Sequence, residues 1–372
     1  MSSQTLGIIF SNMHDEELQD LTVRRTIASI PFGGRYRLID FVLSNMYNSG
    51  ITKVGVITKS NYQSLMDHVG SGKEWDMAHK REGLFILPPF GHAQSGIYKS
   101  RLDALSGITD FLRRSTNEYV LMSDSNVVCN MNLNQPIDFH IRNHADITAI
   151  CRHTVVPKDV AGRVTAYHSD HSGRVTDMEL NPAADGEILM GLNMWVVGRA
   201  FLERIVAEAA SRGYGSWERD VLQKRLGDYR VFAWEFDGYA GRIDSIKDYF
   251  RVNMDLLRKE VREELFYRYG HIYTKVRDEV PAKYGPDAAV SHSFVADGCT
   301  VEGSVEDSIL FRGVHIGKGS HVSHSIVMQG TRIGENVRLN YLIVDKDAYI
   351  SDSRVLMGYD SYPLFIGKGG MV

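Results

Sequence analysis

The sequence predicts an α/β domain with a mostly parallel mixed sheet, followed by a short parallel β-helix. Two observations predict this fold. Short apolar segments alternate with helical segments over the first 260 residues, which is typical of parallel strands joined by helical crossovers. After about residue 280, aliphatic residues recur at six-residue spacing, which indicates the coils of a β-helix. We therefore divide the 372-residue chain into a first domain (1–260), a linker (261–286) and a second domain (287–372).

Four apolar runs are the predicted strands of the first domain, because short runs without alternation are typical of strands buried on both faces. They are Leu6–Phe10, Lys53–Thr58, Tyr119–Met122 and Ile147–Cys151. The clearest helix covers Phe201–Arg212, where apolar residues repeat at helical spacing and Gly213 supplies a stop signal. Ligands of such sheets bind beyond the carboxyl ends of the strands, so we expect the functional site at that edge.

The segment Pro281–Pro286 separates this region from the six-residue repeat. The repeat joins Val295 to Val301, Ile316 to Val322 and Met328, Ile333 to Leu339, and Val344 to Ile350. In a triangular β-helix each face takes one hexad, and its aliphatic residue fills the axis. Three hexads make a coil of about 18 residues, so the region would hold about four coils. An ordinary antiparallel β domain with many turns is the alternative.

Composition and charge exclude several classes of protein. The 42 basic and 46 acidic side chains give a net charge of −4, which argues against a nucleic-acid partner. Cys129, Cys151 and Cys299 are widely spaced and form no CxxC pair, so we expect a reducing compartment and neither a disulfide framework nor a zinc site. The N-terminus resembles neither a signal peptide nor an anchor, and no apolar run approaches 18 residues. We expect a cytoplasmic protein with no membrane partner.

The segment from Pro31 to Ile51 carries the most specific pattern of the chain. It reads PFGGRYRLIDFVLSNMYNSGI and resembles the FGG-[KR]-[FY]-R-[IL]-IDF-x-LSN-x-x-NSGI block of bacterial glucose-1-phosphate adenylyltransferases. Further matches occur in the family's order at Val54–Thr58, Leu87–Pro89, Tyr98 with Asp103 and Ala104, Met190–Gly191, and Asn253–Leu257. The resemblance implies a Rossmann-like nucleotidyltransferase domain followed by a left-handed β-helix. It also implies the reaction of ATP with glucose 1-phosphate to give ADP-glucose and pyrophosphate.

That reaction requires concentrated positive charge, because the phosphate of one anion must attack the α-phosphorus of another. Catalysis of such transfers is mostly positioning and electrostatic stabilisation. The site needs a glycine-rich loop whose N–H groups hold the triphosphate. It also needs an arginine and a lysine beside that loop, and carboxylates that hold Mg²⁺.

The chain departs from the family at the phosphate loop. Counted back from Phe32–Gly34, the family's GG-x-GTR positions hold Asn12, Met13, His14, Asp15, Glu16 and Glu17. All three glycines are absent, and Glu17 stands where the family has its catalytic arginine. The acidic side chains would each repel a triphosphate by a few kcal/mol at an effective dielectric constant of about 20. The lysine of the family's A-K-P-A element falls on Ile27.

Both metal positions are changed as well. Asn126 aligns with the Mg²⁺-binding aspartate of the family's GDH element, and Arg242 aligns with the carboxylate of its W-x-DVGT element. Asp124 lies on the same strand face as Asn126, about 6–7 Å away. The other replaced substrate contacts are Asn181, for the sugar-phosphate lysine, and Ser100 and Arg101, for the glycine and threonine of the GTAD element.

This pattern resembles the catalytically degenerate D-type regulatory subunit of Gram-positive glucose-1-phosphate adenylyltransferases. The resemblance implies no catalytic residue, no metal ligand and no cofactor in this chain, with Mg²⁺ bound by a catalytic partner. That partner would be the catalytic subunit, in a hetero-tetramer, although a homo-oligomer could form alone. One alternative is a diverged but active sugar-phosphate nucleotidyltransferase that uses Asp124 for the metal. Another is a sugar-phosphate-binding protein that acts without a partner.

Three arginines are the candidate effector-binding residues. Arg24, Arg25 and Arg37 match positions where the bacterial family binds anionic effectors such as sugar bisphosphates or AMP. Because arginine can bind phosphate through two parallel hydrogen bonds, we expect a sugar-phosphate or nucleotide effector there. The alternative is that all three are solvated or salt-bridged surface arginines.

Overall fold

The computed structural model describes residues 4–79, 82–89, 98–156, 164–182 and 186–372. Thirteen strands precede residue 260 within these ranges. They are β1 (Thr5–Phe10), β2 (Pro31–Phe32), β3 (Tyr36–Arg37), β4 (Val54–Ile57), β5 (Leu84–Leu87), β6 (Tyr119–Asp124), β7 (Val127–Cys129), β8 (Ile147–Val156), β9 (Thr165–Ser169), β10 (Val175–Leu180), β11 (Gly186–Gly198), β12 (Val231–Glu235) and β13 (Ala240–Arg242).

The helices of the first domain connect these strands and cover the sheet. They are α1 (Gln19–Thr22), α2 (Leu38–Asn48), α3 (Gln63–Val69), α4 (Arg101–Gly107), α5 (Thr109–Arg113), α6 (Asn134–Arg142), α7 (Arg199–Arg212), α8 (Ile246–Asp255) and α9 (Lys259–Phe266). Short 3₁₀ segments cover Ile27–Ser29, Lys73–Trp75 and Gln223–Arg225, and a π segment covers Trp217–Leu222. In the described ranges, no helix is long and apolar enough to cross a membrane.

The main sheet is mixed, with a parallel centre. Seven of its nine strands follow the order β10-β9-β11-β6-β1-β4-β5. The other two are β8, which pairs with β11, and β12, which pairs with β8. Strands β6, β1, β4 and β5 are parallel, so their carboxyl ends meet at one edge of the sheet. The four strands expected from the sequence are confirmed, and the predicted helix forms as α7, which ends at Gly213 in the left-handed conformation (φ 69°).

The second domain is a triangular β-helix made of three parallel five-stranded sheets. Its first face holds β14 (Lys283–Tyr284), β17 (Thr300–Val301), β20 (His315–Ile316), β23 (Arg332–Ile333) and β26 (Tyr349–Ile350). The second holds β15 (Ala289–Ser291), β18 (Ser304–Glu306), β21 (His321–Ser323), β24 (Arg338–Asn340) and β27 (Val355–Met357). The third holds β16 (Phe294–Val295), β19 (Ile309–Leu310), β22 (Ile326–Val327), β25 (Leu342–Val344) and β28 (Leu364–Ile366).

The six-residue repeat is therefore confirmed as a β-helix, with two corrections. Five coils form instead of about four, because the first strand already lies at Lys283, inside the predicted linker. Register partners such as Ile316 and Ile333 are 17 residues apart, so one face of each such coil takes five residues. Val327 consequently fills the axis with the other inward aliphatic residues. Met328, predicted to be axial, is buried against the first domain.

The last coil contains an insertion that the six-residue repeat did not predict. Two residues separate Asn340 from Ile343, whereas seven separate their register partners Met357 and Phe365. The extra residues form a turn closed by two backbone hydrogen bonds between Tyr359 and Tyr362. This turn lines a cavity of about 960 Å³.

The two domains share one hydrophobic cluster, so the β-helix is not an independent appendage. Ile309, Ile326 and Ile343 point outward from the third face and pack against residues of the first domain such as Tyr249. At the same interface Arg25 Nη2 donates a hydrogen bond of 2.6 Å to Asp345 Oδ2, and both side chains are almost fully buried. The domain boundaries remain a proposal; helix α9 extends across the first edge of the predicted linker, and strand β14 lies inside the linker.

The buried pair between Arg25 and Asp345 yields the first prediction. Replacement of Arg25 by Met should lower the free energy of unfolding by about 3–5 kcal/mol, because it leaves a buried carboxylate without its cation. Urea denaturation measures the loss. Arg24→Met is the matched control, since Arg24 is exposed and its replacement should change stability by less than about 0.5 kcal/mol. A smaller Arg25→Met effect than about 1 kcal/mol would contradict the structural role.

Candidate functional site

The loop after β1 lies at the carboxyl edge of the parallel strands, where ligands of such sheets bind. Two of its polar side chains, Asn12 and Asp15, form hydrogen bonds with other groups of the protein. Asn12 Oδ1 accepts a hydrogen bond of 2.9 Å from the Lys59 amide, and Asp15 Oδ1 accepts one of 2.8 Å from the Ile27 amide. Asn12 also donates to Asp15. Burial raises the pKa of Asp15 to about 6, against the opposing effect of these hydrogen bonds.

Asp124, at the carboxyl end of β6, is held by two cationic partners from other elements. His14 Nε2 lies 2.7 Å from Asp124 Oδ2, and Arg101 Nε donates a hydrogen bond of 3.0 Å to Asp124 Oδ1. A second nitrogen of Arg101 also contacts this carboxylate, and Arg101 Nη1 donates a bond of 2.6 Å to Glu218. The carboxylate is almost fully buried, so these partners offset its desolvation.

The electrostatics of this cluster follow from its geometry. Burial alone would raise the pKa of Asp124, but the Arg101 charge and the bond to His14 lower it to about 2. Burial alone would lower the pKa of His14, but the carboxylates of Asp124 and Glu17 raise it to about 9. The two groups therefore form an ion pair at neutral pH.

A second buried carboxylate, Asp244, bridges the side chains of Asn126 and Arg242. Asn126 Nδ2 donates a hydrogen bond of 2.7 Å to Asp244 Oδ1, and Arg242 Nε lies 2.5 Å from Asp244 Oδ2. Arg242 also donates to the Gly191 carbonyl at 3.3 Å. The Asp244 carboxylate thus lies between the Asn126 amide and the Arg242 guanidinium.

The geometry does not suit a divalent cation. A Mg²⁺ ion needs oxygen ligands around an open centre, whereas here the carboxylates already bind cationic or amide nitrogens. Within the described residues, no group of three or more His, Cys, Asp and Glu side chains is arranged to hold a metal ion.

Two cavities flank these clusters. The larger, of about 960 Å³, lies between the sheet edge, helix α8 and the inserted turn of the last coil. Its lining contains as many acidic as basic side chains, five of each. The smaller, of about 400 Å³, lies against the loop after β1 and includes Asp15, Glu16 and Glu17 beside Lys59 and Lys99. Neither presents the concentrated positive charge that a triphosphate requires.

Comparison with known proteins places this arrangement in a family. Residues 7–237 match the nucleotidyl transferase family, and residues 280–362 match the GlmU-like C-terminal hexapeptide family. The chain belongs to the nucleotidyl transferase family. The predicted Rossmann-like domain and left-handed β-helix are thereby confirmed.

Relatives that match most of the chain show which members of that family it is similar to. It is 35% identical to glycogen biosynthesis protein GlgD of Bacillus subtilis (strain 168), over 99% of this chain and 97% of that protein. It is 38% identical to GlgD of Geobacillus stearothermophilus, over 87% and 84% of the two chains. It is also 35% identical to the glucose-1-phosphate adenylyltransferase of Thermotoga neapolitana, over 85% and 76%. The resemblance to the glucose-1-phosphate adenylyltransferases and their D-type homologue is confirmed.

The structure explains what the altered positions of this family member do. Asn126 and Arg242, which align with the two metal carboxylates, both bind Asp244. Arg101, which aligns with a substrate-contacting threonine, binds Asp124. Sequence reasoning singled out Asn126, Arg242 and Arg101, but it did not find Asp244 or the pairing between Arg101 and Asp124. Those contacts join elements distant in sequence, and no local pattern reports them.

The three candidate effector residues do not form one group in the structure. Arg24 is exposed. Arg25 is buried and pairs with Asp345. Arg37 donates hydrogen bonds of 2.6 and 2.8 Å to the backbone and side chain of Ser64, and it lines a small cavity between the two domains.

That cavity, here called the interdomain pocket, has a strongly basic lining. It measures about 40 Å³ and its basic lining residues are Arg35, Arg37, His68, Lys275, Arg277, Arg312 and Lys346. No Asp or Glu lies among its described lining residues. Burial and the charges of Arg25 and Arg277 lower the pKa of Arg37 to about 10. Atoms Nε and Nη2 of Arg312 are buried without a hydrogen-bond partner in the described chain.

The β-helix residues of this pocket follow a rule that the sequence does contain. Leu310, Val327 and Val344 are register partners on the third face. Arg312, Gln329 and Lys346 each follow one of them by two residues, so they stack at one corner in successive coils. Their 17-residue spacing could have identified them, whereas Arg35 and Arg37 of the first domain could not have been assigned to the same pocket.

The ion pair between His14 and Asp124 predicts a pH dependence of stability. The folded pKa of His14 lies above its unfolded value, so its contribution is complete below about pH 6.5 and is lost as the pH rises through about 9. Relative to His14→Gln, the wild type should lose up to about 3 kcal/mol between these limits. Urea denaturation at several pH values measures this difference. His171→Gln, at an exposed position, is the control; parallel pH profiles for wild type and His14→Gln would exclude the ion pair.

Proposed function

We propose that this chain is a non-catalytic regulatory subunit of glucose-1-phosphate adenylyltransferase. It would modulate a catalytic homologue that converts ATP and glucose 1-phosphate to ADP-glucose and pyrophosphate in glycogen biosynthesis. The relatives named glycogen biosynthesis protein GlgD support this role, because they match nearly the whole chain. The catalytic homologue would supply the Mg²⁺ site and the phosphate loop.

The bridging position of Asp244 carries the proposal of catalytic inactivity. An active site of this kind needs a cation between two carboxylates, and this chain instead has a carboxylate between an amide and a guanidinium. Loss of one electrostatic contact in an active site commonly costs about 2.7–4 kcal/mol, or about 10²–10³ in rate. Changes at the loop and at both metal positions together would leave little turnover, even though such losses are not additive.

The alternative of an active enzyme that uses Asp124 for its metal has weaker support. Asp124 is already neutralised by Arg101 and His14. Metal binding there would have to displace both partners and leave the Arg101 guanidinium with Glu218 alone. Separating a buried pair in this way is strongly unfavourable.

The partner is a further part of the proposal. The similarity to glucose-1-phosphate adenylyltransferases suggests assembly with a catalytic homologue, and we propose a hetero-tetramer, with a homo-oligomer possible when the chain is alone. Coupling between sites of such assemblies is typically about 1–3 kcal/mol, or about 5–150-fold in affinity. We also propose a cytoplasmic location, where the catalytic homologue would use ATP and glucose 1-phosphate.

We also propose that the interdomain pocket binds an anionic effector, such as a sugar phosphate or a nucleotide. Six Arg and Lys side chains from both domains converge on it without an acidic lining residue in the described chain. Arg37 is the candidate residue that lines this pocket, and Arg25 contributes through its charge. The space is small, so it would admit the phosphate group of an effector and leave the remainder outside.

Catalytic silence can be tested with the purified chain. Incubated with ATP, glucose 1-phosphate and Mg²⁺, it should release no pyrophosphate, because its metal positions cannot hold the cation. Mixed with the catalytic homologue of its host, it should change that enzyme's kcat, KM or effector response. Robust turnover by the chain alone, abolished by Asp124→Ala, would refute the proposal and establish the alternative. If a size measurement of the mixture shows no complex, the regulatory role is refuted.

The effector site predicts a loss of anion binding when Arg312 is replaced. Arg312→Gln should weaken the binding of inorganic sulfate at least about tenfold, because it removes a charged hydrogen-bond donor worth about 1.5–3 kcal/mol. Isothermal titration calorimetry provides the measurement. Arg338→Gln, on an exposed strand position of the same β-helix, should bind sulfate as the wild type does. Equal affinities for all three proteins would place the anion elsewhere.

A further inference from the structure

The crowding of cations in the interdomain pocket has a consequence for protonation. The pocket holds Arg35, Arg37, Lys275, Arg277, Arg312 and Lys346, and no acidic side chain lines it among the described residues. Like charges so close together disfavour one another's ionised forms, most strongly where water is partly excluded. Arginine cannot release its proton in a protein. The repulsion also lowers the pKa of Arg37, but near neutral pH only a lysine or a histidine of the pocket can lose its proton.

Three basic side chains of the pocket other than arginine could respond, and two of them already bind other groups. His68 Nε2 lies 2.5 Å from Asp40 Oδ1, and burial lowers its pKa despite that carboxylate. The Lys275 ammonium donates to the Asp67 backbone carbonyl at an exposed site. Lys346 lies half-buried at the corner of the β-helix and makes no ion pair in the described structure.

We propose that the interdomain pocket takes up one proton, at Lys346, when it binds a dianionic phosphate-type group, so that anion affinity falls as the pH rises above neutrality. This inference rests on the anion site proposed above. In the free protein the Lys346 side chain loses its proton readily to solvent. A bound dianion supplies the missing counter-charge, and the amine regains a proton from solvent as the complex forms.

The charged groups around Lys346 fit this description. Arg37 and Arg25 approach it from the first domain, and Lys368 follows from the last coil. Asp345 is the acidic side chain that acts on Lys346, and its carboxylate already binds Arg25 and accepts a hydrogen bond of 2.7 Å from the Lys346 backbone amide. Burial and the two arginine charges together lower the pKa of Lys346 to about 7. This value lies where a change of cytosolic pH would alter the charge.

The remaining neighbours of the pocket do not neutralise Lys346. Asp297 lies 3.8 Å from Arg312 Nε, and Glu279 acts on the same guanidinium. Asp40 is bound to His68 and to the Arg37 backbone amide. Asp297, Glu279 and Asp40 thus act on basic groups other than Lys346, and Asp347, the next residue along the chain, lies 4.0 Å from Lys368 Nζ. A bound anion is the counter-charge that this lysine lacks.

Sulfate is the appropriate probe, because it stays a dianion over the whole pH range, whereas inorganic phosphate itself titrates near neutrality. Calorimetric titration of the full chain with sulfate at about pH 6, 7, 8 and 9 and constant ionic strength should show a Kd that rises about tenfold between pH 6 and 8 and about tenfold more by pH 9. Buffers with different ionisation enthalpies count the protons. Uptake should approach one proton at the alkaline end and vanish at the acidic end.

Two variants test whether Lys346 is responsible. Lys346→Arg keeps a permanent charge, so its sulfate affinity should no longer depend on pH and no proton should be taken up. Lys346→Met should bind weakly at every pH. Lys318→Met, at an exposed position of the same domain, is the control and should retain the wild-type pH profile.

The outcomes separate this inference from the effector proposal on which it rests. Sulfate binding by the wild type without proton uptake, or with uptake that persists in Lys346→Arg, would overturn the proton linkage and leave the anion site standing. Absence of sulfate binding even at about pH 6, where Lys346 is protonated, would overturn the anion site itself.

Discussion

A buried carboxylate has to be neutralised, and this protein neutralises two of them with its own side chains at the sheet edge where its relatives would handle nucleotides. Asp124 binds Arg101 and His14, while Asp244 binds Asn126 and Arg242. Because each carboxylate is buried, loss of its partner would leave an uncompensated charge and strongly destabilise the fold. Under the proposed function, the same contacts that stabilise the fold would exclude the magnesium ion and the polyphosphate.

Charge is distributed unevenly across the molecule, and the pattern suggests where function remains. The two cavities at the carboxyl edge of the parallel strands have balanced or acidic linings. The interdomain pocket is basic throughout, in a chain with a net charge of −4. Repulsion within that pocket opposes the docking of the two domains, and the apolar cluster around Ile326 together with the Arg25–Asp345 pair offsets it. An anion in the pocket would relieve the repulsion, and its effect would reach both domains at once.

Much of the fold could be predicted because it is encoded by local periodicity. The buried strands appear as short apolar runs, and the β-helix appears as a repeat of inward aliphatic residues. The errors arise where geometry departs from that repeat. Met328 keeps the six-residue spacing but faces the first domain, because each regular coil closes with 17 residues. The inserted turn after Met357 has no periodic signal at all.

The sequence by itself determined the family and the two kinds of domain, and it predicts the loss of ligands at Asn126, Arg242 and the loop after β1. Those conclusions need only residue type and spacing. The tertiary structure alone decided which partners Asn126, Arg242 and Arg101 bind, and which arginines are buried, exposed or in a pocket. Arg25 and Asp345 are separated by 320 positions, and pairing over such distances depends on how elements pack. Local sequence does not predict such pairs, because the residue type is the same whether a charged side chain contacts water or a buried partner.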